Sequence, residues 1–275
     1  MVIDCAGRRL ELNTPAVMGV LNITPDSFSD GGEFFDLEQA VSRGQLMAEQ
    51  GAAIIDIGGE STRPGALPVP VQQELDRVIP VIERLSAAVD IPLSIDTRHP
   101  QVMAAATAAG AGLINDVNAL RAPGALAVAA SSNAAVCLMH MQATPETMQQ
   151  NPHYEDALVE IGQFLRARME ACIAAGIDRR KMVIDPGFGF GKTLAHNLQL
   201  LRELGQFRAM GLPILVGLSR KKMFGDILNK PVHQRLYGSL AAAVIAVDKG
   251  ASIVRCHDVA ETVDALRVWS AVSLS

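Results

Sequence analysis

The sequence predicts an α/β protein with the architecture of a (β/α)8 TIM barrel, preceded by an N-terminal β-hairpin. Eight short apolar runs lie along the 275-residue chain, and helix-like segments separate them. Strands that alternate with helices form a parallel sheet, and eight such units in one chain favour a closed barrel. One such barrel takes roughly 250 residues, so we expect a single domain over residues 1–275.

Each apolar run stops at a polar cluster, and these clusters contain most of the residues with chemical reactivity. In chain order the clusters begin at Asn22, Gly58, Asp96, Asn115, His140, Asp185, Ser219 and Arg255. The active site of a (β/α)8 barrel gathers at the carboxyl ends of its strands. The sequence therefore predicts one polar site at that end of the barrel.

The segments around these runs carry their own structural signals. Residues 1–12 alternate apolar and polar around Ala6-Gly7, which predicts a hairpin that closes the bottom of the barrel. A helix over 71–89 contains Pro80, which predicts a kink or a break. Four other helices are each followed by a glycine, which readily takes the left-handed conformation that ends a helix: Gly51, Gly110, Gly176 and Gly250.

Composition limits the classes of partner and compartment. The net charge is −5, and no run of basic residues is present, which argues against a nucleic acid partner. The four cysteines form no Cys-x-x-Cys pair, and no apolar stretch reaches the roughly 18 residues of a membrane-spanning helix. We therefore expect a cytoplasmic protein with reduced cysteines and no membrane partner.

Asp96, Asn115 and Asp185 end three of the predicted strands. A single such residue after a strand is often a helix cap, but three in one barrel mouth indicate ligand binding. A carboxylate accepts two parallel N–H bonds, and an amide both donates and accepts. Together they suit the edge of a heterocycle with an amino group beside a ring N–H, and such a site rejects ligands that leave buried polar groups unpaired.

Arg255, His257 and Asn22 come from the last and first strands, which are neighbours in a closed barrel. Arginine and protonated histidine bind anions, and arginine can hold a phosphate with two N–H groups. Arg255 and His257 are two residues apart on a strand, so both can face the same side. Asn22 offers one oxygen for a Mg²⁺ ion shared with a diphosphate. For His257 alone, a core histidine is the alternative interpretation.

Three further motifs are interpreted as structural. The glycine-rich segment 187–193 resembles a nucleotide-binding loop. A P-loop, however, would require glycine at the position of Pro186, and the glycine spacing of a Rossmann fold would require it at Lys192. We expect a tight strand-to-helix connection there. Ser219 lacks the Gly-x-Ser-x-Gly elbow of a serine nucleophile and is expected to cap the next helix. His140 has no second ligand at metal-binding spacing and is expected to be structural.

Taken together, these motifs make the chain similar to the dihydropteroate synthases of the folate pathway. The resemblance extends over essentially the whole chain and rests on six segments: 22–32, 59–65, 114–116, 185–191, 219–221 and 255–258. Enzymes of this family join 6-hydroxymethyl-7,8-dihydropterin diphosphate to 4-aminobenzoate and release diphosphate. The resemblance therefore implies this activity, Mg²⁺ as cofactor, two small-molecule substrates and a homodimer.

The resemblance also implies a role for individual residues. The pterin would contact Asp96, Asn115, Met139, Asp185, Gly217, Lys221 and Arg255. The diphosphate would contact Asn22, Arg255 and His257, with Mg²⁺ on Asn22. The 4-aminobenzoate would contact Phe28, Thr62, Arg63, Pro64, Phe190 and Ser219, with Asp30 arriving beside Phe28 when the first loop closes. The residues implied in catalysis are Asp96, Asp185, Lys221 and Arg255.

The implied chemistry is a dissociative displacement of diphosphate. The arylamine is a weak nucleophile and needs no base before it attacks. The costly step is breaking the C–O bond to the diphosphate. Cations stabilise the leaving group, and the electron-rich dihydropterin carries the positive charge, which Asp96 would favour. No residue need act as a covalent nucleophile.

Two alternatives share the barrel and the pterin-edge residues. A methyltetrahydrofolate-dependent methyltransferase domain would not need the 22–32 and 59–65 loops, nor Arg255 and His257 on a diphosphate. A pterin-binding paralogue without enzymatic activity would not need Arg63, Lys221 and Arg255 intact. Release of diphosphate that depends on aminobenzoate separates the three.

Overall fold

A computed structural model describes residues 1–23, 33–61, 68–144 and 147–273 of the chain. The described strands are β1 (Val2–Cys5), β2 (Arg8–Glu11), β3 (Ala16–Asn22), β4 (Ile54–Gly58), β5 (Leu93–Asp96), β6 (Leu113–Asp116), β7 (Ala135–Met139), β8 (Met182–Asp185), β9 (Leu215–Gly217) and β10 (Ile253–Cys256). Strands β3 to β10 form a parallel eight-stranded sheet in the order β8-β7-β6-β5-β4-β3-β10-β9. These are the eight apolar runs of the sequence, within a residue or two at each end.

The two outer strands of that order also meet. Ile184 in β8 forms a parallel bridge with Ile214, just before β9, and the Ile184 N–H donates to the Pro213 carbonyl at 3.0 Å. This contact brings the ends of the sheet together into a barrel. The predicted (β/α)8 architecture is therefore confirmed.

Helices follow the barrel strands and cover the outside of the barrel. They are α1 (Glu33–Glu49), α2 (Val71–Ala88), α3 (Pro100–Ala109), α4 (Ala125–Ser131), α5 (Ala157–Ala174), α6 (Leu194–Arg202), α7 (Lys222–Leu228), α8 (Leu236–Asp248) and α9 (Val259–Ser273). The four predicted helix-ending glycines all have positive φ, between 92° and 116°. Within the described ranges, no helix combines the length and the apolar character that crossing a membrane requires.

The N-terminal hairpin closes the lower end of the barrel, as predicted. Ile3, Cys5 and Leu10 are at most 1% exposed and pack against the inward-facing apolar residues at the start of the barrel strands. The hairpin lies so close that a Cβ added to Gly112 would clash with the Cys5 carbonyl oxygen. Because this end is filled by side chains, any ligand site must lie at the opposite, carboxyl end.

The predicted break at Pro80 is wrong, since α2 runs through this residue as one helix. Pro80 removes only one N–H, the partner of the Asp76 carbonyl. Asp76 lies on the exposed side of the helix, where water can bond that carbonyl, while Val78 and Ile82 remain buried on the opposite face. Packing of the apolar face therefore outweighs the loss of one hydrogen bond.

Candidate functional site

The carboxyl ends of the strands bring the predicted polar residues to one level of the barrel mouth. Asn22 pairs in register with Gly58, Gly58 with Asp96, and Asp96 with Asn115. Parallel strands hold register partners side by side. Asn22, Asp96 and Asn115, which are separated in sequence, therefore lie in one row across neighbouring strands.

A carboxylate that sequence reasoning missed links this row to Arg255. Asp56 lies inside β4 and is completely buried. Its Oδ1 accepts a 2.6 Å hydrogen bond from the Ser94 hydroxyl, and its Oδ2 accepts bonds from Asn115 Nδ2 at 3.0 Å and Arg255 Nε at 2.6 Å. The signal was present, because a charge inside an apolar strand must have partners.

Arg255 connects two buried carboxylates across the mouth. Its Nε bonds Asp56, and its Nη2 bonds Asp96 Oδ2 at 2.7 Å. Burial alone would lower the pKa of the Arg255 guanidinium, but Asp56 and Asp96 raise it above its ordinary value. Arg255 is therefore a fixed cation whose plane is set by two acids, and within the described residues its Nη1 donates no hydrogen bond.

Asp96 retains one free acceptor. Burial raises the pKa of Asp96 to about 7, although the Arg255 charge opposes this. Its second oxygen, Oδ1, is buried and has no hydrogen-bond partner among the described residues. Buried acceptors are normally paired, so among the described residues this oxygen is available to a donor from a ligand.

Asp185 ends β8 and faces the same mouth. Its Oδ1 accepts a 2.7 Å hydrogen bond from the Gly187 N–H, in the tight strand-to-helix connection that the sequence predicted. Burial raises the pKa of Asp185 to about 6, against the Gly187 N–H and the charges of Lys221 and Lys192, which lower it. The mouth therefore holds two carboxylates, Asp96 and Asp185, whose environments both penalise the charged form.

The cationic side chain of Lys221 and the apolar side chains of Phe190 and Met139 lie near Asp185. The Lys221 ammonium lies 4.2 Å from the centre of the Phe190 ring, a distance that allows a cation–π interaction. Met139 is in register with Asp185 and belongs to a buried cluster against which Phe190 packs. Gly217, next to Arg255 in register, would place an added Cβ within 4 Å of no described atom.

Ser219 contacts the last strand instead of the next helix. Its hydroxyl accepts from the His257 N–H at 3.2 Å and lies 3.0 Å from His257 Nδ1. The predicted helix cap is wrong, because α7 has Lys221 at its N-cap and no side-chain cap bond. Ser219 lies two residues before that position, and β10 brings His257 within reach.

A cleft with a volume of about 620 Å³ opens next to this pair. Asn22, His257, Arg220 and Arg43 are among the residues that line it. Arg220 is bonded to Asp258, and Arg43 donates to the His257 carbonyl at 3.4 Å. Glu38 also lines the cleft, but Arg43, Arg220 and His257 outnumber it and make the cleft suitable for an anion.

A buried cluster of acidic residues lies beside the predicted loop that begins at residue 59. Glu60 Oε1 accepts from the Val69 N–H at 3.0 Å and from Arg98 Nη2, and Glu60 Oε2 accepts from Arg98 Nε, both at 3.1 Å. Behind it lies Glu74, completely buried, with neither carboxylate oxygen hydrogen-bonded among the described residues. The side-chain atoms of Glu60, Glu74 and His99 that could ligate a metal ion lie within 4.8 Å of one another. Arg98 already pairs with Glu60, which makes this cluster a poor cation site.

The Glu74→Gln variant should therefore be more stable than the parent at alkaline pH. Burial, helped by the charge of Glu60, raises the pKa of Glu74 to about 7. Thr97, Arg98 and Arg77 act to lower this pKa. The folded state then keeps a proton that the unfolded state loses above about pH 4.5, so this carboxyl costs stability as the pH rises through 7. We expect a gain of roughly 1–3 kcal/mol at pH 8 and almost none at pH 5.

Urea unfolding at the two pH values measures this difference. Glu83→Gln, at an exposed position of the same helix, serves as the control and should show no such dependence on pH. An equal effect of Glu74→Gln at pH 5 and pH 8 would contradict the assignment.

Five residues with implied roles lie outside the described residues. They are Phe28, Asp30, Thr62, Arg63 and Pro64. Their roles in aminobenzoate binding remain predictions.

The fold and these side chains define the class of protein. It is a (β/α)8 barrel with buried carboxylates, an arginine and an amide at the carboxyl ends of its strands, an arrangement suited to a polar heterocycle and an anion. The family model described as pterin binding enzyme matches residues 18–257. The chain therefore belongs to the pterin binding enzymes, and its relatives place it among the dihydropteroate synthases.

The relatives are similar over their full length. The dihydropteroate synthase of Escherichia coli K12 is 50% identical over 271 residues, which are 98% of this chain and 96% of that protein. The Haemophilus influenzae enzyme is 51% identical over 264 residues, 96% of each. A structure of Xanthomonas albilineans dihydropteroate synthase with 4-aminobenzoic acid superposes with a TM-score of 0.95 at 54% identity, covering 100% of this chain and 98% of that one.

A second structure of the Xanthomonas albilineans enzyme is a complex with 7,8-dihydropteroate. It superposes with a TM-score of 0.92 at 52% identity and covers all of both chains.

Proposed function

We propose that this chain condenses 6-hydroxymethyl-7,8-dihydropterin diphosphate with 4-aminobenzoate to give 7,8-dihydropteroate and diphosphate. The relatives support this reaction, because they are named dihydropteroate synthases and one is solved with 7,8-dihydropteroate. The observation in this molecule that carries the proposal is the buried Asp96 Oδ1, which accepts no hydrogen bond from the part of the chain that the structure describes. It lies in the same mouth as Asn115 and Asp185, the residues suited to an amino-heterocycle.

The pterin half of the site follows from these acceptors. Asp185 and Asn115 would hold the amino-pyrimidine edge, while Asp96 Oδ1 would accept from a ring N–H. Asn115 is oriented by its donation to Asp56, which leaves its carbonyl oxygen free to accept. Lys221 would donate to the ring oxygen, and Met139 and Gly217 would border the ring. Asn115 and Asp96 are already held by Asp56 and Arg255, so little ordering entropy of these two side chains is lost on binding.

The reaction itself requires departure of the diphosphate. Arg255 would direct its Nη1 to the diphosphate, with its plane held by Asp56 and Asp96. His257 would donate from its ring to the same group. Charge developing on the leaving oxygen is then met by donors that need no reorganisation, which is the main source of electrostatic catalysis. Asp96 would stabilise the positive charge left on the pterin.

The aminobenzoate half completes the proposal. Ser219 and Phe190 would contact the second substrate, together with Phe28, Thr62, Arg63 and Pro64. Ser219 is within 3.0 Å of His257, and the Phe190 ring covers the Lys221 ammonium. Ser219 therefore adjoins a residue of the proposed diphosphate half, and Phe190 adjoins a residue of the proposed pterin half, which supports a place for the arylamine beside both.

Mg²⁺ fits this site only as an ion shared with the diphosphate. Asn22 lines the anion cleft, and its side chain makes no hydrogen bond to any described residue. One neutral amide oxygen is a sufficient protein ligand when phosphate oxygens and water complete the shell, which is the usual arrangement for Mg²⁺. When bound, Mg²⁺ would supply charge that stabilises the departing diphosphate.

Release of diphosphate tests the function directly. We expect sustained release of diphosphate only when the pterin diphosphate, 4-aminobenzoate and Mg²⁺ are all present, because the arylamine is the nucleophile that captures the pterin cation and Mg²⁺ would stabilise the leaving group. A phosphate-release assay coupled to pyrophosphatase measures it with each substrate omitted in turn. Chromatography of the dihydropteroate formed replaces it when Mg²⁺ is omitted, because pyrophosphatase itself requires Mg²⁺. Release that is independent of aminobenzoate would contradict the synthase reaction, and full activity with EDTA would contradict the metal assignment alone.

A cytoplasmic homodimer is the form in which we propose that the enzyme works. All four cysteines are free and buried, which suits a reducing compartment. Tyr237 and Ile245 on α8 and Val268 on α9 are 75%, 46% and 66% exposed, and these helices are neighbours. Exposed apolar groups on adjacent helices suit contact with a second copy. Light scattering after gel filtration tests this, and a monomeric mass would contradict it.

A further inference from the structure

Lys192 is a buried cation to which neither the sequence nor the proposed function assigns a role. Lys192 is only 3% exposed. Its Nζ lies 2.8 Å from the Gly187 carbonyl oxygen, 3.0 Å from the Phe190 carbonyl oxygen and 3.0 Å from His140 Nδ1. Three acceptors match the three N–H donors of an ammonium group. No donor remains for a ligand, so Lys192 acts through its neighbours.

The third acceptor, His140, is suited to this role because it stays neutral. Burial and the Lys192 charge lower the pKa of His140 to about 2. Its Nδ1 therefore accepts, and the ring proton lies on Nε2. Burial likewise lowers the pKa of Lys192 to about 7, with the Asp185 charge acting in the opposite direction.

The segment that Lys192 holds, 187–190, carries two groups of the proposed site. At one end the Gly187 N–H bonds Asp185, and at the other the Phe190 ring lies over Lys221. Gly187 has a φ of 72°, and an added Cβ would clash with the His140 carbonyl oxygen. The segment is therefore pressed against the strand that ends at Met139.

The middle of this segment has an independent attachment. Asn197 Oδ1 accepts from the Gly189 N–H at 2.7 Å. Removing the ammonium should therefore shift the two ends of the segment without unfolding it.

We propose that Lys192 is a positioning residue for the aminobenzoate half of the site, where it fixes the backbone of Gly187 and Phe190 by a buried ammonium. The proposal rests on the function proposed above and on the contact of Phe190 with aminobenzoate. A positioning role and a purely structural role differ in their effect on the kinetic constants. A residue that only stabilises the fold leaves the kinetic constants of the folded enzyme unchanged, whereas a displaced Phe190 weakens the second substrate.

Lys192→Met tests the proposal, because methionine keeps most of the length of the lysine side chain and removes its N–H donors. We expect the KM for aminobenzoate to rise about tenfold or more, given the value of hydrogen bonds to charged groups. The Kd of the pterin diphosphate should change less, since Asp96, Asn115 and Arg255 are untouched and only the Gly187 N–H bond to Asp185 is disturbed in the pterin half. Lys192→Gln keeps two N–H donors and should show a smaller rise in the same constant.

Val102→Ala is the matched control. Val102 is fully buried in α3, so its truncation lowers the stability without changing the site. Its KM values should equal those of the parent at a temperature where all the variants are folded. Equal KM values for aminobenzoate in the parent and in Lys192→Met would overturn the proposal.

Failure of both Lys192 variants to fold, with Val102→Ala folded, would also overturn it, because the lysine would then serve stability alone. A parent enzyme that makes no product would instead contradict the proposed function.

Discussion

Replacing Asp185 with Asn should weaken binding of the pterin diphosphate by about 10- to 150-fold. The variant keeps the shape of the side chain and can still accept the Gly187 N–H, but it turns the other oxygen into a donor. That donor would face the N–H groups of the ligand. Loss of a hydrogen bond that involves a charged group costs about 1.5–3 kcal/mol, which corresponds to this range of affinity. Isothermal titration calorimetry measures it.

The dependence of this difference on pH adds a second test. Because burial raises the pKa of Asp185 to about 6, the parent side chain becomes neutral as the pH falls through 6. The ratio of the two affinities should therefore shrink between pH 7.5 and pH 5. Comparing the parent with the variant cancels the titration of the ligand itself.

Asp116→Asn provides the matched control. Asp116 is a completely buried carboxylate at the end of β6. Both of its oxygens accept backbone N–H groups, from Asn118 and Leu120 at 2.7 Å, so each is already held by the backbone that follows the strand. This variant should lose stability and keep the pterin affinity. Affinity within about twofold of the parent for Asp185→Asn, far below the range for a lost charged bond, would remove Asp185 from the ligand edge.

The barrel and the location of the site were predictable because both depend on periodic signals. Eight apolar runs separated by helical segments fix the architecture, and the carboxyl ends of parallel strands must converge. Asp96, Asn115 and Asp185 follow three of these runs, so one rule placed all three in the mouth. The structure confirms this placement and adds that Asn22 lies in the same row.

The bonds between these residues were not predictable, because they cross between strands. Asp56 was passed over inside an apolar run, although its side chain joins Asn115 to Arg255 across sequence separations of 59 and 199 residues. Ser219 was assigned to the nearest helix, whereas its partner His257 is 38 residues away. Local propensity cannot rank partners that only the closed barrel brings together.

Replacing Arg255 with Gln should both destabilise the protein and stop turnover. Arg255 bridges Asp56, which is completely buried, and Asp96, which is 7% exposed. Removing it leaves two buried carboxylates without their cation, and breaking a buried pair in this way costs about 3–5 kcal/mol. It also removes the guanidinium proposed for the diphosphate. Urea unfolding and the diphosphate-release assay measure the two effects separately.

A double-mutant cycle with Asp56→Asn separates stability from catalysis. Asp56 accepts the Arg255 Nε at 2.6 Å, so the cost of losing Arg255 should fall once Asp56 is neutral. We expect Arg255→Gln with Asp56→Asn to recover at least about 1 kcal/mol of the lost stability, as coupled neighbours do, and to recover no activity. Additive losses of stability would contradict the shared charge network. Recovery of turnover in the double variant would show that Arg255 serves only to compensate the buried acids.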